Sequence, residues 1–195
     1  DLLARAGVEG EWMQRRPLRM VLMRGDLPVL FGHCVRGGKT AMTVTTHPWE
    51  RNGALSGRVV WQVGGEVAER NARREDGDEV REDARRELAS MLPGCDLSRA
   101  EMATYPAVRA EARAADLRRP SGVHARWAGE RLLVVWPTKM ALSPLLAGEV
   151  VEEVDGRLGE PGAAAGTAME ALDWPAPEVA MDPWREEERV WKPVI

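Results

Sequence analysis

Lysine is nearly absent from this 195-residue chain: Lys39, Lys139 and Lys192 are the only three, so 24 of its 27 basic residues are arginines. That bias is read as genomic composition. Net charge is −4, which excludes a dedicated basic nucleic-acid binder. Long apolar runs are missing too. The longest stretch without Asp, Glu, Lys or Arg is the ten residues Thr40 to Trp49, whereas a membrane helix needs about 20 apolar residues. Cysteine is limited to Cys34 and Cys95, without a Cys-x-x-Cys. Neither a zinc site nor a disulfide framework is therefore indicated. Two reduced, buried cysteines suit a cytoplasmic setting.

Several catalytic signatures are absent as well. His33, His47 and His124 are scattered without metal-ligand spacing, and no Gly-x-Ser-x-Gly, Gly-x-Gly-x-x-Gly or P-loop occurs. Gly64-Gly65 is too short to cradle a pyrophosphate. The acids between Glu66 and Glu87 read as a solvated helix face. The chain opens Asp1-Leu2-Leu3, with no initiator methionine or signal-peptide pattern, and is expected to be a piece of something longer.

What is present is 44% hydrophobic residues in short periodic segments, enough to bury a core. Gln14 to Arg24 alternates, with Leu18, Met20 and Leu22 on one face and Val21 and Met23 on the other, and Pro17 at a strand start or edge. Arg24-Gly25-Asp26 is turn chemistry. Val29 to Val35 follows, with Val29, Phe31, His33 and Val35 sharing an apolar face that could simply bury His33 in the core. Gly37-Gly38 signals a hairpin into Thr40 to Thr46, and Arg58 to Val63 is a further strand. Four sequential strands predict an antiparallel meander.

Residues 78–91 have helical spacing through Val80, Ala84, Leu88 and Met91, with Glu82 and Arg86 paired on the wet side, and Pro93-Gly94 stops the helix. Glu101 to Arg109 is extended. Val123 to Trp127 and Arg131 to Trp136 are short strands around Ala128-Gly129. Ser143-Pro144 predicts a helix start with Ser143 as N-cap; Leu146, Val150 and Val154 form its stripe and Gly156 its C-cap. Beyond Arg157, Trp174, Trp184 and Trp191 sit among five prolines, a tail expected to strap against a core.

Motifs in this order resemble the C-terminal part of FAD-dependent oxidoreductases of the D-amino-acid-oxidase-like group. They are Met13-Gln14-Arg15-Arg16-Pro17-Leu18, Leu27-Pro28 with His33-Cys34 as a hairpin, Trp61-Gln62-Val63-Gly64-Gly65, and Arg86-Glu87-Leu88 with Met91-Leu92-Pro93. Ala103-Thr104-Tyr105, Val108-Arg109-Ala110-Glu111, Arg119-Pro120 and Trp136-Pro137-Thr138-Lys139-Met140-Ala141-Leu142-Ser143-Pro144 complete the set. The resemblance implies an α+β fold: an antiparallel cap sheet of four to six strands with a long helix across it. It also implies C-terminal strand and helix elements of an incomplete FAD-binding domain. Residues 1–122 would be the substrate cap, 123–156 the cofactor-domain elements and 157–195 the tail.

The implied cofactor is FAD and the implied partner a small amine, amino acid or hydroxy compound, with no nucleic acid and no membrane span. Hydride would pass from a C–H bond beside the amine or hydroxyl to FAD. Pro137, Thr138, Lys139 and Met140 match a loop near the flavin ring, although the glycine-rich form of that loop is absent. Arg109 matches a carboxylate-binding arginine, although Glu111 could pair with Arg113, Arg118 or Arg119. His33 could line the pocket. Chemistry of this class needs little acid–base help, so the lack of a catalytic pair does not exclude it. The alternative is a stand-alone, non-catalytic binding module.

Overall fold

A computed structural model describes residues 2–50, 54–55, 57–116, 119–136, 139–159 and 178–194. It divides into two compact units, Pro17–Arg109 with Glu178–Ile195 and Asp1–Arg16 with Ala110–Pro177. The fold is α+β. Its main element is a six-stranded sheet ordered β2-β3-β4-β1-β5-β8. The strands are β1 (Met13–Arg24), β2 (Phe31–Arg36), β3 (Lys39–Pro48), β4 (Val59–Gly64), β5 (Glu101–Ala112) and β8 (Lys192–Pro193). Pairs β2–β3, β3–β4, β1–β4 and β5–β8 are antiparallel. Ion pairs Arg24–Glu101 and Arg16–Glu111 run in opposite senses along β1 and β5, so those two are antiparallel as well.

This order corrects the expected meander. β2, β3 and β4 do follow one another, but β1 lies beside β4, and no hairpin joins β1 to β2. Burial explains the rearrangement. Val21, Leu22 and Met23 are all fully buried, so β1 is apolar on both faces and takes an interior place. β2 exposes Phe31 and Val35 and takes the edge. Pro17 falls inside β1 rather than at its start, but the ladder to β4 covers only Val21 to Arg24, so Pro17 blocks none of those bonds.

One face of the larger unit's sheet carries Val21, Met23, Met42, Val44, Trp61, Val63 and Met102. α3 (Gly77–Met91) packs there through Val80, Ala84 and Leu88, all fully buried. Burying the valine and leucine contributes about 1.5–3 kcal/mol each. Asp76 caps the helix, its side chain accepting from the Asp78 N–H at 2.7 Å, and Asp78 and Glu79 complement the dipole. The acidic face is only partly solvated. Glu82 bonds Arg85 at 2.8 Å rather than Arg86 at 4.0 Å. Glu87 is buried, held by Arg36 at 3.0 Å and Arg70 at 2.9 Å, so it clasps the edge strand β2 to the helix.

Between sheet and helix lies a turn missed in the sequence, α2 (Glu66–Arg70). Gly65 enters it at φ +82°, where a Cβ would sit 3.1 Å from the Met42 and Thr43 backbone. That approach requires glycine.

The opposite face holds Leu22, Val60 and Ala103 under Trp184, with Trp49, Tyr105 and Trp191 packed alongside. The described end of the tail, residues 178–194, does strap the sheet. The Trp184 indole N–H donates to the Trp49 carbonyl at 3.3 Å, and the Arg24 guanidinium lies 4.4 Å from the Trp191 ring. Val194 closes on the Ala100 carbonyl at 3.0 Å. Trp174 lies outside the described residues.

In the smaller unit, β6 (His124–Trp127) and β7 (Leu133–Trp136) form an antiparallel hairpin, turned at Gly129 with φ +105°. α4 (Ser143–Leu158) follows a 3-10 turn, Met140–Leu142. Two details differ from expectation. Ser143 is already helical and Leu142 holds the cap position, because the 3-10 turn extends the helix backwards. The helix also runs through Gly156 and ends at Gly159, at φ +77°. Glu111, 4% exposed, accepts from the Arg16 guanidinium at 2.8 and 3.1 Å and from the Gln14 amide at 3.4 Å; Arg113 instead pairs with Glu11 at 2.7 Å.

Candidate functional site

The strap covers only one end of the sheet's second face. At the other end large apolar side chains stand in solvent: Phe31 is 58% and Val35 60% exposed. They leave apolar side chains on the open face of the edge strand. Strand alternation explains its composition. Phe31 lies opposite Thr45, and Thr45 opposite Gln62, so three strands contribute one row. Gln62 then reaches over β1, whose Leu22 lies beneath, and its amide donates to the Tyr105 hydroxyl on β5. In a neighbouring row, His33 faces Thr43, with Nδ1 3.0 Å from the threonine hydroxyl.

His33 therefore shares a face with Phe31 as expected, but that face is open and the histidine is exposed rather than buried in a core. Tyr105 is held from behind. The Arg189 guanidinium sits 5.0 Å from its ring and is anchored to the Thr104 carbonyl at 3.1 Å and the Pro183 carbonyl at 3.0 Å. Burial, above all, raises the Tyr105 phenol above its ordinary value, with Glu186 adding to the rise while the Gln62 bond and Arg189 oppose it. The hydroxyl stays protonated and able to donate.

Arg109 is half-exposed on β5, its guanidinium 3.9 Å from Glu69 of α2. Three strands separate β5 from β2, so Arg109 and His33 stand about 19 Å apart across the sheet, and no single small group bridges them. Lys139 and Met140 belong to the smaller unit. Both are exposed, Met140 at 83%, at the 3-10 turn leading into α4. Pro137 and Thr138 lie outside the described residues.

The Gln62–Tyr105 couple was not singled out from the sequence. Its signal was there: Gln62 is the lone polar side chain in Val-Val-Trp-Gln-Val-Gly, and Tyr105 is the only tyrosine.

On the helix side, a cleft of about 720 Å³ is lined by Leu27, Pro28, Met91, Leu92 and Cys95, among others. Burial and then Asp96 push the Cys95 thiol up, which disfavours the thiolate a nucleophile needs. Both cysteines are free and half-buried rather than fully buried. Among the described residues no group of His, Cys, Asp and Glu is placed to hold a metal, and no helix is long and apolar enough to cross a membrane.

No protein-family model matches the chain. It is 39% identical over 185 residues to the probable FAD-dependent oxidoreductase PA4991 of Pseudomonas aeruginosa, covering 94% of this chain and 45% of that protein. The crystal structure of the FAD-dependent oxidoreductase PA4991 from Pseudomonas aeruginosa superposes with a TM-score of 0.71 at 38% identity, covering 94% of this chain and 48% of that one. In sequence and in fold the chain is thus similar, over nearly its whole length, to a piece spanning about half of an FAD-dependent oxidoreductase.

Proposed function

We propose that this chain supplies the substrate-binding sheet, and some of the cofactor-domain elements, of an FAD-dependent oxidoreductase of the D-amino-acid-oxidase-like group. The observation that carries the flavoenzyme reading is the 38–39% identity, with matching backbone, to part of a protein named as an FAD-dependent oxidoreductase; the group rests on the order of the sequence motifs alone. When bound, FAD would supply the acceptor for the hydride leaving a C–H bond beside an amine or hydroxyl.

The donor set supports the flavin ring as the part of FAD that these residues would meet. The start of α4 has no side-chain cap, and Lys139 stands exposed just before it. An ammonium beside the start of a helix favours an electron-rich partner, which fits the flavin ring. The sequence holds no Gly-x-Gly-x-x-Gly, so the dinucleotide would be held by residues outside this chain. Pro137, Thr138, Lys139 and Met140 would contact the ring, within the elements of 123–156. In the larger unit the open sheet face would form the substrate wall, with His33 on it. Arg109 would orient a substrate carboxylate through its planar guanidinium, in competition with Glu69.

The test is to express the complete product of the reading frame that encodes these residues and mix it anaerobically with amines, amino acids and hydroxy compounds. Bleaching of its flavin absorbance by one of these classes is the expected result. A complete product that carries no flavin, or whose flavin none of them reduces, would refute the reading.

A further inference from the structure

On the strength of that reading, we infer that the row Phe31–Thr45–Gln62, extended by Tyr105, is the specificity site of the sheet. It would take a substrate with an apolar body and an uncharged end that both donates and accepts hydrogen bonds, such as a hydroxyl or a carboxamide. Three observations carry this.

First, the row has two chemically different ends. Phe31 is 58% exposed at the edge strand, and Gln62 sits two strands inward, about 10 Å away at the usual strand spacing. A ligand lying across β3 therefore meets an aromatic face at one end and a polar couple at the other.

Second, the couple presents both hydrogen-bonding roles. With the Gln62 amide N–H donating to the Tyr105 oxygen, the phenol keeps its own proton to donate and the Gln62 carbonyl oxygen remains to accept. Reversing the amide exchanges the roles, the glutamine N–H donating and the phenol oxygen accepting. At least one donor and one acceptor of the couple are left over from that bond in either case. A group that both donates and accepts satisfies them together, and one lacking either role leaves a half-buried polar atom unmatched.

Third, the couple is built rather than incidental. Both side chains are half-buried, Leu22 lies fully buried beneath them, and Arg189 fixes the Tyr105 ring through two backbone carbonyls. The titratable and charged groups facing Tyr105 are Arg189 and Glu186 of the strap, which pair with each other, so neither is left to select a charged substrate end at this point.

The experiment uses the complete flavin-bound product and a series of primary amines of equal length ending in methyl, hydroxyl, carboxamide or carboxylate. KM and kcat are read from anaerobic flavin reduction in the wild type, Tyr105→Phe and Gln62→Leu. The hydroxyl and carboxamide members should have KM values about tenfold below the methyl member, as one or two matched hydrogen bonds would give. Both variants should remove that preference, raising the KM of the hydroxyl and carboxamide members to that of the methyl member. Unchanged preferences in both variants would overturn the inference, as would tighter binding of the carboxylate member that either variant abolishes, or failure of the whole series to reduce a bound flavin. A product without flavin fails at the proposed function instead, so the two failures are told apart by the spectrum before any amine is added.

Discussion

Replacing Trp184 with alanine removes the side chain that seals the second face of the sheet. The indole is 7% exposed, packs on Leu22, Val60 and Ala103, and lies 5.0 Å from the His47 ring. A buried tryptophan covers about 200 Å², which at roughly 25 cal/mol per Å² sets a ceiling near 5 kcal/mol. Compactness of the denatured chain takes off about a quarter, and the 3.3 Å bond to the Trp49 carbonyl adds well under about 1 kcal/mol. The expected loss is about 3–4 kcal/mol. Because the strap can release before the sheet unfolds, the loss should appear first as local opening. Arg189, 8% exposed and anchored to two carbonyls, is shielded from trypsin while the strap is docked. Cleavage after Arg185 and Arg189 should therefore accelerate by about two to three orders of magnitude in Trp184→Ala, whereas Val179→Ala, at a position 72% exposed, changes it little. Equal cleavage rates in Trp184→Ala and wild type would refute the claim that this tryptophan holds the strap.

Two glycines should respond with opposite signs. Gly65→Ala forces a Cβ against the Met42 and Thr43 backbone at φ +82° and should cost about 1–3 kcal/mol in urea unfolding. Gly148→Ala, within α4 and with nothing within 4 Å of the added carbon, should stabilise by about 0.8–1 kcal/mol. Asp78 gives a pH signature. Hydrogen bonds from Lys192 and then Arg81 hold its carboxyl at about 2, below the ordinary 3.8. A pKa lowered by folding means that its support of β8 is complete above about 4 and fades as pH falls toward 2. An NMR titration should show that low midpoint in the wild type and a higher one in Lys192→Ala; coincident midpoints would sink the assignment.

Local pattern carried most of the elements. The alternation through Met20–Met23 and the four-residue stripe Val80, Ala84 and Leu88 depend only on neighbours in sequence, and both appear as expected. Strand order did not follow from adjacency, because it rests on a comparison between segments: β1 buries both faces and moves inward, while β2 stays at the edge. The same limit affected charge. Glu87 looked like one acid among many until Arg36 and Arg70 arrived from distant segments to bury it. Sequence left the neighbouring arginines open as partners of Glu111, and the fold brings it Arg16 from 95 residues away. His33 was correctly placed beside Phe31, but periodicity cannot say which face of a sheet a helix will cover, and α3 covered the other one. Tyr105 and Gln62 come together over an intervening strand, a relation that exists only once the sheet is ordered.

The central claim is that these residues form the substrate side of a flavoenzyme whose dinucleotide is held elsewhere. Flavin occupancy, measured on the complete product and on residues 1–195 expressed alone, tests it most directly. The account predicts stoichiometric flavin on the complete product and none retained by residues 1–195. Stoichiometric FAD on residues 1–195 alone, or a complete product without flavin, would contradict it.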